Sequence, residues 1–331
     1  MSTSSTKVIA GQLAPNVQSS STSITKQPSH WWLAQRSFRR YWQLYLIMVP
    51  ALLYFFIFRY IPMANAVIAF KNYNVVAGIW GSPWAGFKHF DLFFSNPVFW
   101  DLLQNTLGLS IYSLIVGFPI PILLAIALNE ARSGFFKRAV QMVTYAPYFI
   151  STVVLVSMIM LLLAPRLGVI NLALQWLGLP AINFLGRPDL FPSIYVWSGV
   201  WQNSGYAAIV YLAALAGVDP QLYEAAKVDG ASRLQKILNI DLPGIMPVAV
   251  ILLILSVGSL LAIGFEKVYL LQNPLNLSSS EIIATYVYKI GLLNANFSFA
   301  TAVGLFNSVI NMILLVAVNA YVKRVSEMSL W

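Results

Sequence analysis

Cysteine is absent from this 331-residue chain, which excludes a disulfide framework, thiolate metal sites and a cysteine nucleophile, and leaves redox usage silent about compartment. Charge is nearly as scarce. Only 9% of residues are charged against 59% hydrophobic, and a mean hydropathy of +0.72 excludes the pair of soluble domains that the length alone would suggest. The solvent for most of the chain is therefore lipid. Histidine occurs only as His30 and His89, one in a polar arm and one in a loop, so no histidine-based metal centre or hydrolytic triad can form within the apolar stretches. A Gly-x4-Gly-Lys-Ser/Thr phosphate loop is also missing, so this chain is not expected to bind ATP itself.

What remains is apolar, and it comes in lengths that matter. A helix needs about 20 apolar residues to cross roughly 30 Å of hydrocarbon, and six stretches qualify: 44–62, 102–128, 139–164, 193–216, 245–264 and 300–321. All are read as helices, because backbone groups in lipid must be satisfied within the segment. Pro50, Pro119, Pro121 and Pro147 fall inside them and mark kinks. A seventh piece, 169–185, is broken by Gly178 and Pro180 and reads as an interfacial helix or re-entrant turn. Residues 1–40 are rich in Ser, Thr, Gln and Lys and read as a disordered arm ahead of a membrane domain spanning 41–331. The arm lacks the apolar core and cleavage site of a secretory signal, so the first span is expected to be retained.

Six spans put both termini on one side. Thirteen of the 20 Lys and Arg lie on that side, which also holds the segment after the fourth span; the other seven are spread over longer loops opposite. The positive-inside rule makes the termini and that segment cytoplasmic. Orientation and anionic lipid thus account for the net charge of +9, and no nucleic acid is called for.

The long segment 217–243 between spans four and five carries the strongest local signals. Asp219 is suited to cap a helix with Pro220 in its first turn, and Leu222, Ala225 and Ala226 fall on one face at helical spacing. Gly230 ends that helix. Ser232 can cap a second, bearing Leu234, Ile237 and Leu238, which Leu242-Pro243 is expected to stop before span five. The apolar face of such a pair must be covered, either by the bundle or by another protein.

The spacing within this segment is specific: Glu224-Ala225-Ala226, three residues, Gly230, nine residues, Ile240, one residue, Leu242-Pro243. It resembles the EAA loop of permeases from binding-protein-dependent ABC importers. The resemblance implies an all-α integral membrane protein with six transmembrane helices, the type I ABC importer permease fold and cytoplasmic coupling helices. It further implies that the first short helix docks on a separate ATPase, with Glu224 pairing a basic group, Ala225 and Ala226 allowing close approach, and Gly230 making the turn. Asp229, Ala231, Ile240, Leu242 and Pro243 complete the coupling segment. ATP and Mg would be bound by that partner, leaving no cofactor in this chain. Two ATPase subunits, a second permease of different sequence and an extracytoplasmic solute-binding protein are the implied partners, in a bacterial inner membrane.

Arg39-Arg40-Tyr41-Trp42, Leu46 to Ala51, Tyr60-Ile61-Pro62-Met63 and Ala69 to Tyr73 are similar to sugar permeases of the oligosaccharide and polysaccharide uptake group, the maltose-permease-like branch. This implies a carbohydrate cargo, a range that includes acidic polysaccharide fragments such as alginate. Polar residues in the spans supply path candidates: Asn105 in span two, Trp197, Trp201, Gln202, Asn203 and Tyr206 in span four, and Asn307 and Asn311 in span six. Neutral amides beside aromatic rings suit sugar hydroxyls and sugar faces; they equally suit helix–helix contacts, and both readings stand. The aromatic-rich outer segment 70–100 is likewise open to two readings, docking a binding protein or packing on its own bundle. A secondary transporter or channel is the alternative class, but it usually needs ionisable groups at mid-membrane, whereas Glu266 and Lys267 sit at the outer end of span five.

Overall fold

The computed structural model describes residues 30–131 and 134–325, with 30–39 and 325 described by their backbone alone. The described residues are helical throughout, apart from connecting turns and one isolated antiparallel bridge between Lys71 and Trp84. Contacts divide the chain at Met63 into two units.

The first unit is α1 (His30–Phe55), continued by a π-helical turn, Phe56–Tyr60. Of the expected disordered arm, residues 1–29 lie outside the described residues, while 30–40 are helical. Tyr41, at φ −118° and ψ 22°, interrupts the helix where the apolar run begins. No side chain from Arg40 to Met63 is buried, so Leu46, Ile47 and their neighbours present apolar surface all round. A helix apolar on every face is at home in lipid.

The second unit holds α2 (Phe99–Glu130), α3 (Phe135–Tyr145), α4 (Thr152–Leu162), α5 (Val169–Trp176), α6 (Phe191–Ala216), α7 (Pro220–Val228), α8 (Arg233–Gly258), α9 (Phe265–Leu271), α10 (Ile283–Leu293) and α11 (Phe297–Val325). Among the described residues, four helices are long and apolar enough to cross a membrane: Arg40–Phe70, α2, α8 and Phe297–Arg324 within α11. The pair Phe135–Phe149 and Thr152–Leu162 makes a fifth crossing if counted as one broken span. The remaining expected crossing, span four, is α6. It is long enough at 26 residues but is not among the four apolar ones, for it carries Gln202, Asn203 and Ser204 in mid-helix.

Three expectations need correction. The stretch 139–164 is no simple kinked span: it bends by 103° between Phe149 and Thr152. Pro147 lies in a 3-10 turn, and Ser151 starts α4 afresh by accepting a hydrogen bond from Val154 N–H, so two separate helices result. Leu242-Pro243 does not stop the second loop helix, which instead runs on into the fifth span as α8. A π-helical turn at Ile237–Asp241 explains this, because Leu242 N–H reaches back to Ile237 and the missing N–H of Pro243 falls just past the widened turn. Finally, α8 ends at Gly258, short of residue 264, and the chain turns into α9. The piece at 169–185 holds the short α5 and the start of a 3-10 turn at Phe184–Gly186, and is pinned by buried Asn171, whose side chain bonds the carbonyls of Ala164 and Ile182 and the N–H of Ile182.

At the centre stands α6. Ala208, Tyr211 and Leu215 pack on Ala125 and Ile126 of α2 and on Ile245 and Ala249 of α8. Tyr195 and Val196, more than three turns earlier, pack on Leu109 of α2, Leu155 and Ile159 of α4, and Val268 of α9. Lipid removes most of the hydrophobic drive between helices, so close van der Waals contact between small residues must replace it. Gly205 is the extreme case: a Cβ there would lie 1.9 Å from the carbonyl oxygen of Thr144, so α6 and α3 approach this closely only because position 205 has no side chain. The outer segment 70–100 packs on its own unit through Tyr73 N–H to Ser298, Asn96 to Tyr286, and Phe93 among Phe99, Phe299 and Phe306. Trp80 and Trp84 on its other side stay exposed.

Candidate functional site

Two places concentrate unusual chemistry. The first is the connecting segment between α6 and α8, whose fold is dictated residue by residue. Asp219 accepts from Gln221 N–H at 2.9 Å and Pro220 opens α7, satisfying its first turn. At the other end, Ala231 N–H bonds Ala226 and Gly230 N–H bonds Lys227, the paired closure of a helix ending on a left-handed residue. Gly230 is that residue, at φ +70°; a Cβ there would meet nothing within 4 Å, so backbone conformation alone demands glycine. Ser232 and Gln235 then form a reciprocal capping box at the start of α8.

This rigid turn exposes what the sequence singled out. Glu224, Ala225, Asp229 and Gly230 are exposed, Ala226 and Ala231 half-buried. Of the apolar face expected to need cover, Leu222, Leu234 and Leu238 stay open at 51%, 64% and 52% accessible, while Ala226 is half-buried and Ile237 packs on the core shared by α2, α6 and α8. The bundle thus covers only part of it and leaves the three leucines open to another protein. Ile240 and Leu242 are half-buried at the foot of α8, and Pro243 is exposed.

The opposite side of α7 is anchored by an interaction that sequence reasoning missed. Asp241, wholly buried, accepts from the Tyr223 hydroxyl at 2.6 Å and from Asn129, at the end of α2, at 3.3 Å. Burial and then the Asp241 carboxylate push the Tyr223 hydroxyl up to about 12, so the donor keeps its proton across the physiological range. Asp241 fills the one unspecified place between Ile240 and Leu242; a carboxylate in an otherwise apolar run was the available signal. The trio ties the connecting helix to two long helices, so a push on α7 reaches α2 and α8 directly.

The second place is a cavity of about 560 Å³ bounded by α2, α6, α8 and α9. Gln202 and Asn203 line it, together with Ser110, Ser113, Ser256 and Ser259. Gln202 is held by a bond to the Ile150 carbonyl at the bend between α3 and α4, and Asn203 bonds Gly199 one turn back. The remaining candidates lie elsewhere. Trp197 donates to Tyr112, Trp201 is half exposed, and Tyr206 stacks flat on Tyr148 at 3.8 Å. Asn105 bonds the carbonyls of Ser278 and Glu281. Asn307 and Asn311 clamp the carbonyl and N–H of Leu261, pairing backbone groups freed where α8 ends. For these two the helix-contact reading accounts for the bonds they make.

Comparison with known proteins fits this geometry. Residues 117–327 match the family model described as "Binding-protein-dependent transport system inner membrane component". The polygalacturonan/rhamnogalacturonan transport system permease protein YteP of Bacillus subtilis is 46% identical over 284 residues, covering 86% of this chain and 88% of that protein. Protein LplB of the same organism is 43% identical over 288 residues, covering 87% and 91%. The crystal structure of a bacterial ABC transporter involved in the import of the acidic polysaccharide alginate contains a chain that superposes with a TM-score of 0.82 at 39% identity, over 89% of this chain and 99% of that one. The same likeness holds for the complex of the alginate transporter with an alginate pentasaccharide-bound periplasmic protein. The secondary-transporter alternative finds no support among these relatives. The chain thus belongs to the inner membrane components of binding-protein-dependent transport systems, and its all-helical architecture is the type I ABC importer permease fold.

Proposed function

We propose that this chain forms one half of a carbohydrate path across the inner membrane, driven by separate ATPase subunits that grip α7 from the cytoplasm. The observation that carries the reading is the two-sided build of α7. One side offers exposed Glu224 and Ala225 beside uncovered Leu222, while the other is tied through Tyr223 to Asp241 and Asn129. A helix capped at both ends and anchored on one side transmits force as a rigid body. Closure of two nucleotide-binding subunits would move α7, and with it the ends of α2 and α8, switching the cavity between inward and outward access.

The positive-inside count supports placing the termini and the connecting segment in the cytoplasm. Nucleotide and Mg belong to the ATPase subunits in this scheme, a second, non-identical permease closes the path, and a solute-binding protein delivers the cargo. The pectin-fragment and alginate systems named among the relatives support a saccharide cargo, as do the serine, amide and tyrosine groups of the cavity.

Glu224→Ala in the reconstituted complex tests the coupling role. Uptake is expected to fall about tenfold, the loss of one charge-assisted contact, while the chain still inserts. Undiminished uptake and cargo-stimulated hydrolysis would overturn it.

A further inference from the structure

Lys267 was read from sequence as an outer-end residue, yet the fold turns it inward. It is 8% accessible, lines the cavity and is the one charged side chain in that lining. Its Nζ donates to the Tyr195 carbonyl at 2.8 Å and sits 4.8 Å from the Tyr195 ring centroid. An ammonium has three donors, and this arrangement uses one. Among the described residues no carboxylate pairs with it; the two ion pairs present join Arg187 to Asp189 and Lys289 to Glu281. Gly199 makes room for it: a Cβ there would lie 3.2 Å from Nζ.

A buried cation without a counter-ion is costly, and an ionisable group inside a membrane bundle is by default a candidate for a ligand path. The surrounding cavity is otherwise neutral, with serine hydroxyls and the Gln202 and Asn203 amides at hand. We infer that the Lys267 ammonium is the carboxylate-binding point of the cavity, so that the cargo is an anionic oligosaccharide built of uronic acid units. Carboxylate and hydroxyls then have separate partners: Nζ supplies the missing charge pair, and the serines and amides bond the ring hydroxyls. This rests on the carbohydrate-import reading above and narrows it.

The test uses the intact complex in vesicles, given a uronate oligosaccharide or the same oligomer with its carboxyl groups reduced to alcohols. Lys267→Met is expected to lower uronate uptake about tenfold relative to uptake of the reduced oligomer, and Lys267→Arg to preserve the ratio. If the methionine variant does not assemble, Gly199→Ala carries the test, shifting the ratio the same way by crowding Nζ. Equal loss for both cargoes would reveal a purely structural lysine and overturn the inference, as would no loss for either. A wild-type complex that moves only the reduced oligomer would overturn the inference and leave carbohydrate import standing; one that moves neither would overturn import itself.

Discussion

The connecting segment and the cavity solve their structural problems over different distances along the chain. In the segment the helix ends are set locally: Asp219 caps Gln221, Ser232 and Gln235 cap each other, and Gly230 closes α7 within five residues of Ala226. In the cavity, Lys267 meets the Tyr195 carbonyl 72 positions earlier, and Gln202 reaches Ile150 across 52. The handle is therefore expected to keep its shape whatever the spans do, while the cavity exists only when α2, α6, α8 and α9 are packed together. That is a sensible division for a pump, whose lever must be stiff and whose path must change.

The sharpest way to break the comparison is at Gly205. Gly205→Ala forces a methyl against the Thr144 carbonyl, so α6 and α3 must separate at a cost of about 3 kcal/mol, and the assembled complex should be lost from detergent extracts while α7 itself remains intact. A smaller effect is expected where the two regions join. Tyr223→Phe leaves the buried Asp241 carboxylate short of its nearest donor, a loss of about 2 kcal/mol that should appear as hydrolysis no longer matched to uptake. The raised Tyr223 value sets the sign of the pH dependence: the hydrogen bond contributes fully below the ordinary tyrosine range and is lost as pH rises toward about 12. Smallest is Gly230→Ala, which places an ordinary residue at φ +70° for about 1 kcal/mol, lowering melting temperature by a few degrees with little change in uptake. A larger loss of transport there would mean the turn itself moves.

The same contrast decides what was legible in the sequence. Caps, the Gly230 turn and the face bearing Leu222 are written within a few residues, and the structure keeps them as read. Pro243 misled because a π-helical turn just upstream absorbed its missing donor, and nothing in the residue types there marks that turn. Asn307 and Asn311 suit a path or a helix contact equally in the sequence, and only the fold shows the unwound backbone at Leu261 beside them. Lys267 looks like the outer end of span five until α9 folds inward. Asp241 was visible as a carboxylate in an apolar run, but only its pairing with Tyr223 and Asn129 gives it meaning.

The absence of cysteine makes the central claim directly measurable. Ala225→Cys, at an exposed position of α7, should react with a membrane-impermeant thiol reagent only from the cytoplasmic side of vesicles, and a short bifunctional linker should join it to an ATPase subunit in native membranes. Labelling from the outer side, or uptake by a complex from which every nucleotide-hydrolysing subunit has been removed, would contradict the account.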